Sequence, residues 1–355
     1  MLVRNRAARW AACPRIASCV VFCVALALPV CANASRRADN PIGMHSMLFL
    51  GHEFSAKDAM FREAAQVGAS EIRLDIAMSI VFATPDGTPD WHAVDEYMLL
   101  ARRYHLRVLA NLLATPWYLA ACPPGVSIGD SYRCPASDPA RWAEQVGAIA
   151  RHTRGAIDDF EIVNEPDGSW AFIGSPQQYA AMLTAASDAI HAANPAARVA
   201  IGGLMDVGDR GRQWMDTMLA SLPPLTRAFD IANIHVRGPA AETARTVARW
   251  RRYFARAGFH GPLWVTEAGY PADVSQQTDS HYRGGPKAQA RYLRAVIPAM
   301  IKAGAAKVFI SERDAMDGMF ASEGILDTSD PLEAQPVYWR RPSFYVVRAI
   351  ARRRG

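Results

Sequence analysis

The sequence predicts an α/β fold, a single (β/α)8 TIM barrel. Three observations predict it. Short apolar runs alternate with amphipathic stretches, eight such runs can be counted, and a chain of 355 residues suits one large barrel better than two ordinary domains. The predicted strands are residues 42–47, 71–76, 107–113, 159–165, 198–204, 229–236, 262–267 and 307–311. Between them, apolar residues recur at helical spacing over 57–67, 94–104, 141–152, 177–193, 243–257 and 287–303, and a closing helix is predicted over 343–352. Asp138-Pro139 and Ser175-Pro176 each place a polar cap before a proline in a first helical turn. The longer connections, 77–90, 114–138 and 271–286, all follow strands, on the face where barrels of this kind carry their chemistry. No repeat, low-complexity tract or linker marks a second domain.

Ahead of the barrel, residues 1–34 have the order of an export signal. Arg4, Arg6, Arg9 and Arg15 precede or open an apolar run over 16–30, which ends in Ala32-Asn33-Ala34. Cleavage after Ala34 leaves 35–355 as the barrel domain, expected to be periplasmic or secreted. The apolar run has 15 residues, short of the roughly 20 needed to span hydrocarbon, so the mature form is expected to have no membrane span. Lipid attachment at Cys31 is a competing reading, weakened by the bulky Val30 before it.

The leader also explains the charge. Its four arginines and no acids account for most of the net +5, leaving 35 basic against 34 acidic residues in the remainder. Nothing there calls for nucleic acid or an anionic membrane as partner. Four of the six cysteines lie in the leader, leaving Cys122 and Cys134 in a Pro/Gly-rich loop. In an oxidising compartment two such cysteines are expected to form a disulfide, with two free thiols as the alternative. No third ligand of metal-site character lies near them, so no metal is expected.

Two strand ends carry candidate chemistry. The fourth strand runs Phe160-Glu161-Ile162-Val163-Asn164-Glu165-Pro166, and the seventh runs Leu263-Trp264-Val265-Thr266-Glu267-Ala268-Gly269-Tyr270. An Asn-Glu-Pro triplet arises by accident in roughly one chain of this length in twenty, so the motif alone is weak. A second glutamate at the end of a strand three units later strengthens it, because strands four and seven face each other across a barrel mouth. Cleavage of a glycosidic bond needs such a pair. One group protonates the departing oxygen, while the other attacks or stabilises the oxocarbenium-like centre.

These two stretches resemble clan A glycoside hydrolases, most closely glycoside hydrolase family 39, with family 5 as a near neighbour. The resemblance implies a retaining enzyme with Glu165 as general acid/base, Glu267 as nucleophile and no organic cofactor or metal. Its partner would be an oligo- or polysaccharide. It also implies that Arg73 supports the pair from the second strand and His235 from the sixth. A guanidinium beside Glu267 would keep it ionised, while the charge of Glu267 and a partly dry pocket would favour protonated Glu165. Asn164 is suited to hydrogen-bond a sugar 2-hydroxyl. Trp117 and Trp170 on mouth-side loops would give sugar rings an apolar face, with Tyr270 and Tyr282 as further candidates.

Each of these has a structural alternative: an ion pair with Asp75 for Arg73, core packing for His235, burial beneath a loop for the aromatics. Two departures from the family pattern stand out. Arg237 occupies a position where many clan members have tyrosine, and the eighth strand ends in Ser311-Glu312-Arg313-Asp314 without an aromatic. Those three charged residues would reach substrate or form an ion-pair network closing the barrel. A carbohydrate-binding barrel without turnover and a polysaccharide-remodelling transglycosidase are the alternatives to a hydrolase.

Overall fold

A computed structural model describes residues 40–46, 50–222, 228–273, 284–314, 321–329 and 337–354. The stretch expected to be an export signal, with Cys31, and Tyr282 lie outside the described residues. Eight parallel strands form one sheet: β1 (Ile42–His45), β2 (Glu71–Ala77), β3 (Arg107–Leu113), β4 (Asp159–Ile162), β5 (Arg198–Ile201), β6 (Ala232–His235), β7 (Leu263–Ala268) and β8 (Ala305–Ser311). Their order is β5-β4-β3-β2-β1-β8-β7-β6. The open ends meet through parallel bridges Ala200 to Ile231 and Leu204 to Ile234, and Ile201 N–H donates to the Ile231 carbonyl at 3.1 Å. The sheet is thereby closed into the predicted (β/α)8 barrel.

The helices are α1 (Phe54–Val67), α2 (Met78–Val81), α3 (His92–Tyr104), α4 (Pro139–His152), α5 (Pro176–Ala193), α6 (Asp209–Ala220), α7 (Ala240–Arg256), α8 (Gly285–Ala303) and α9 (Pro342–Arg354). The two predicted caps form as read. Asp138 accepts from the amides of Ala140 and Arg141, and Ser175 with Gln178 makes a reciprocal capping box. Among the described residues no helix is long and apolar enough to cross a membrane.

Strand side chains alternate between the barrel interior and the helices. Outward residues such as Ile72, Leu74, Ile162 and Ile310 join the main core with the helix faces. Inward, the amino-terminal end holds charge: Lys307 pairs with Glu71, and Asp159 pairs with Arg107 and with Arg198. Buried ions of this kind persist only when partnered. Above them Leu109, Ala200, Ile231, Trp264 and Phe309 form a separate apolar plug. The polar site lies on the far side of that plug, at the carboxyl ends of the strands, where such barrels keep their chemistry.

Three local differences from the sequence reading have physical causes. Strand β4 ends at Ile162, three residues early, because the chain turns left-handed at Val163. Strand β5 stops at Ile201, before the Gly202-Gly203 pair. After β8 the chain forms an antiparallel hairpin that the sequence reading lacks, β9 (Leu326–Thr328) with β10 (Tyr338–Arg340). Arg341 ties that hairpin to the barrel, reaching Asp314 at 2.6 and 2.8 Å and Asp327 at 3.0 Å. Of the two expectations for the eighth strand's end, Asp314 thus takes the ion-pair role. Glu312 and Arg313 are buried as well.

Candidate active site

The site begins with a strained turn. Val163 and Glu165 have φ of 62° and 41°, on either side of Asn164. Left-handed backbone at a β-branched residue is rare and costs of order 1–3 kcal/mol, so the surroundings must enforce it. Tyr179 does part of this from α5: its hydroxyl donates to the Ile162 carbonyl at 2.8 Å and accepts from Gly202 N–H at 2.7 Å. A side chain at Gly202 would come within 2.1 Å of the Val163 carbonyl, and one at Gly203 within 2.1 Å of the His235 ring. The glycine pair after β5 therefore makes room for both the turn and the histidine. Asp167 completes the support by accepting from the amides of Met205 and Asp206 at 2.9 and 2.8 Å.

This turn aims Glu165 into the barrel mouth, where it meets Glu267 from β7 and His235 from β6. Ligating atoms of the three residues all lie within 4.8 Å of one another, and all three residues are buried. His235 Nδ1 is 2.7 Å from Glu165 Oε1 and 3.6 Å from Glu267 Oε2. The sequence places His235 beside the nucleophile candidate; the structure brings it against both glutamates, nearer to Glu165.

Arg73 is the hub beneath them. Its Nη1 donates to Glu267 Oε1 at 3.0 Å, its Nε and Nη2 fork onto Glu161 at 2.7 and 3.0 Å, and Nη2 also donates to Asn164 Oδ1 at 2.7 Å. The anticipated rival partner was Asp75, but the bidentate pair is with Glu161. A fork of this kind fixes orientation as well as charge. Asn164 thus has its oxygen occupied, which leaves its amide NH2 as the group to offer a ligand.

Glu267 is gripped on both oxygens. Arg73 holds Oε1, and Arg237 Nη2 holds Oε2 at 3.1 Å. Burial alone would raise its pKa. The surrounding positive groups, His235 and His45 when protonated together with Arg73 and Arg237, hold it instead well below the ordinary carboxylate range. Burial drives the His45 pKa down to about 3, so at neutral pH the two guanidiniums are the fixed charges. Consistent with a neutral ring, His45 Nδ1 accepts from Arg73 at 2.9 Å, while its Nε2 faces Glu267 Oε1 at 3.5 Å. Burial also lifts the Asp75 pKa to about 6, against the pull of Arg73.

The aromatic candidates divide. Trp117 and Trp170 are exposed, at 50% and 56%, on the adjacent loops after β3 and β4. Tyr270 is buried, its ring 5.1 Å from that of Tyr292 in a small cluster with Ala288. Cys122 and Cys134 form the expected disulfide, within the loop that carries Trp117. Sequence reasoning missed His45, Glu161 and Glu323 as parts of the site. Glu161 had a signal: it is a charged residue two positions from Asp159 on the inward face of a strand otherwise made of apolar residues.

The trio Glu165, His235 and Glu267 has the spacing of a cation site. Two guanidiniums directly on Glu267 already meet its charge, however, and a cation there would be repelled by both. The arrangement is better suited to moving a proton and presenting an anionic carboxylate to a neutral ligand.

No family model and no curated protein sequence matches the chain. Solved structures do. A family 39 glycoside hydrolase from the gut symbiont Bacteroides cellulosilyticus WH2 superposes with a TM-score of 0.69 at 14% identity, covering 89% of this chain and 64% of that one. The chain has the fold of the family 39 glycoside hydrolases. A monomeric β-xylosidase from Caulobacter crescentus CB15 gives a TM-score of 0.64 at 17% identity, covering 87% of this chain and 67% of that one. The family 39 enzyme from Xanthomonas axonopodis pv. citri gives 0.62 at 16%, covering 88% and 66%. The chain therefore spans about two thirds of the length of these enzymes, and of the first of them 64%.

Proposed function

We propose that the protein is a retaining glycosidase acting on an oligo- or polysaccharide, with Glu267 as nucleophile and Glu165 as general acid/base. One observation carries the reading: two buried carboxylates from opposite strands of the mouth bring ligating oxygens within 4.8 Å. Carboxyl groups about 5–5.5 Å apart leave no room for an intervening water and suit a covalent intermediate; inverting pairs stand about 6.5–9.5 Å apart.

In the first step an oxygen of Glu267 attacks the anomeric carbon while Glu165 gives its proton to the departing glycosidic oxygen. In the second, Glu165 takes a proton from water, whose oxygen attacks the same carbon and releases Glu267 as carboxylate. The hydrogen-bond chain suits this. Thr266 donates to Asn233 Oδ1 at 2.9 Å, which leaves its oxygen to accept from His235 Nε2–H at 3.0 Å. His235 Nδ1 then faces Glu165 Oε1 at 2.7 Å, a contact across which a proton can pass to or from the carboxyl. Asn164 offers its amide NH2 to the sugar 2-hydroxyl, and Trp117 with Trp170 lines the approach. The β-xylosidase among the structural relatives suggests a β-linked sugar.

The leader and the disulfide support export as the place of action. The test is a panel of aryl glycosides assayed with Glu165→Gln and Glu267→Ala. Turnover by the first is expected to fall about 10²–10⁴-fold. Turnover by the second is expected to vanish and to return with azide as a glycosyl azide. Full activity in either variant refutes the assignment.

A further inference from the structure

Arg237 stands just past the end of β6 and does two things at once. Its Nη2 donates to Glu267 Oε2 at 3.1 Å, and its Nε and Nη2 fork onto Glu323 at 2.9 and 3.0 Å. Glu323 is 3% exposed and cannot drift. Ser311 donates to its Oε2 at 3.2 Å, and the loop that carries it is stapled from two sides. Gln289 of α8 donates to the carbonyls of Tyr270, Glu323 and Gly324 at 2.9, 3.0 and 3.1 Å. Arg341 donates to the Gly324 carbonyl at 2.7 Å. Room for this carboxylate exists because residue 269 is glycine; a side chain there would come within 2.6 Å of Glu323 Cδ. A buried, paired acid behind an arginine is a costly arrangement unless it fixes something.

We infer that Arg237, braced by Glu323, is a positioning residue for Glu267: it holds the second carboxylate oxygen in place and supplies the second fixed positive charge beside it. The inference rests on Glu267 being the nucleophile. Its oxygens then have separate tethers, Arg73 on Oε1 and Arg237 on Oε2, so that neither can rotate away from the sugar. When the carboxylate attacks, one oxygen forms the ester bond and the group loses its charge. When water displaces it, the electron pair of that bond returns to Glu267, and the Arg237 N–H is already aimed at the anion being regenerated.

The charged and titratable groups facing Glu267 are His45 from β1, Arg73 from β2 with Glu161 from β4 behind it, Glu165 after β4, and His235 and Arg237 from β6 with Glu323 behind. Asp75 of β2 also acts on Glu267 through space. With His45 neutral, loss of Arg237 leaves Arg73 as the one fixed cation in contact among the described residues, and that guanidinium is shared with Glu161. Removing a cation favours the protonated form of Glu267, so the pH below which activity is lost must rise.

The experiment compares the pH dependence of kcat/KM in the wild type, Arg237→Gln and Arg237→Lys, after peptide mapping of the wild type inactivated by 2-deoxy-2-fluoro aryl glycosides of xylose and glucose. The fluoro-sugar is expected on Glu267. Arg237→Gln is expected to move the acidic limb up by about 1 pH unit or more. Arg237→Lys keeps the charge but cannot fork, so its limb stays near the wild-type position while kcat falls. If the Gln variant does not fold, the Lys variant decides, and a wild-type kcat in it overturns the brace. An acidic limb unmoved in Arg237→Gln, or moved as far by Lys as by Gln, likewise overturns the inference. A label on another residue sinks the nucleophile assignment itself, and the inference with it.

Discussion

Glu165 and His235 meet at 2.7 Å across the barrel mouth, one from a strained turn after β4 and the other from the end of β6. The contact makes Glu165 part of a buried hydrogen-bond chain that runs through His235 and Thr266 to Asn233. It follows that His235 matters most where a proton must be delivered. His235→Gln is expected to lower kcat/KM about 10²-fold for aryl glycosides with basic leaving groups, and far less for dinitrophenyl glycosides, which need no acid. Rates measured across a leaving-group series check this; an equal loss for every leaving group rules the role out.

Trp117 and Trp170 are half exposed on the neighbouring loops after β3 and β4. Trp117→Ala and Trp170→Ala are each expected to raise KM for oligosaccharides about tenfold, or ~1.4 kcal/mol, while leaving KM for a small aryl glycoside nearly unchanged. Steady-state kinetics on the two substrate sizes separates a sugar platform from packing, which would affect both alike.

The Cys122–Cys134 bond closes a short loop, with a sequence separation of 12. Replacing both cysteines with serine is expected to cost about 2–3 kcal/mol of unfolding free energy. Urea unfolding of the double variant beside the wild type measures it.

Asp75 is a half-buried carboxyl whose pKa is raised to about 6 by desolvation. A raised carboxyl binds its proton more tightly folded than unfolded, so stability falls as pH climbs from the unfolded value near 4 through the folded one. Asp75→Asn removes that loss. Relative to the wild type, the variant is expected to gain about 2 kcal/mol of stability between pH 4 and pH 7. Urea unfolding at both pH values reads the difference, and a constant offset counts against it.

Much of this was legible in the residues. All eight barrel strands lie where the apolar runs put them, and both glutamates sit at strand ends as the Asn164-Glu165-Pro166 and Thr266-Glu267 stretches indicate. Period and punctuation are local signals, and they carried these assignments. What escaped was long-range or local strain. Glu323 reaches Arg237 across 86 positions from a loop with no periodicity. The Glu161–Arg73 fork joins residues 88 apart. The left-handed turn at Val163 is imposed by Tyr179 and Gly202, not by its own propensity. The hairpin strands β9 and β10 have three residues each, too few for an alternation to be seen.

The central claim is that Glu165 and Glu267 are close enough to pass a sugar from glycosidic bond to ester and on to water. The most direct measurement is the anomeric configuration of the first-formed sugar, followed by proton NMR during hydrolysis of an aryl glycoside before mutarotation sets in. Retention of the substrate's configuration is the predicted result; a product that first appears inverted contradicts it.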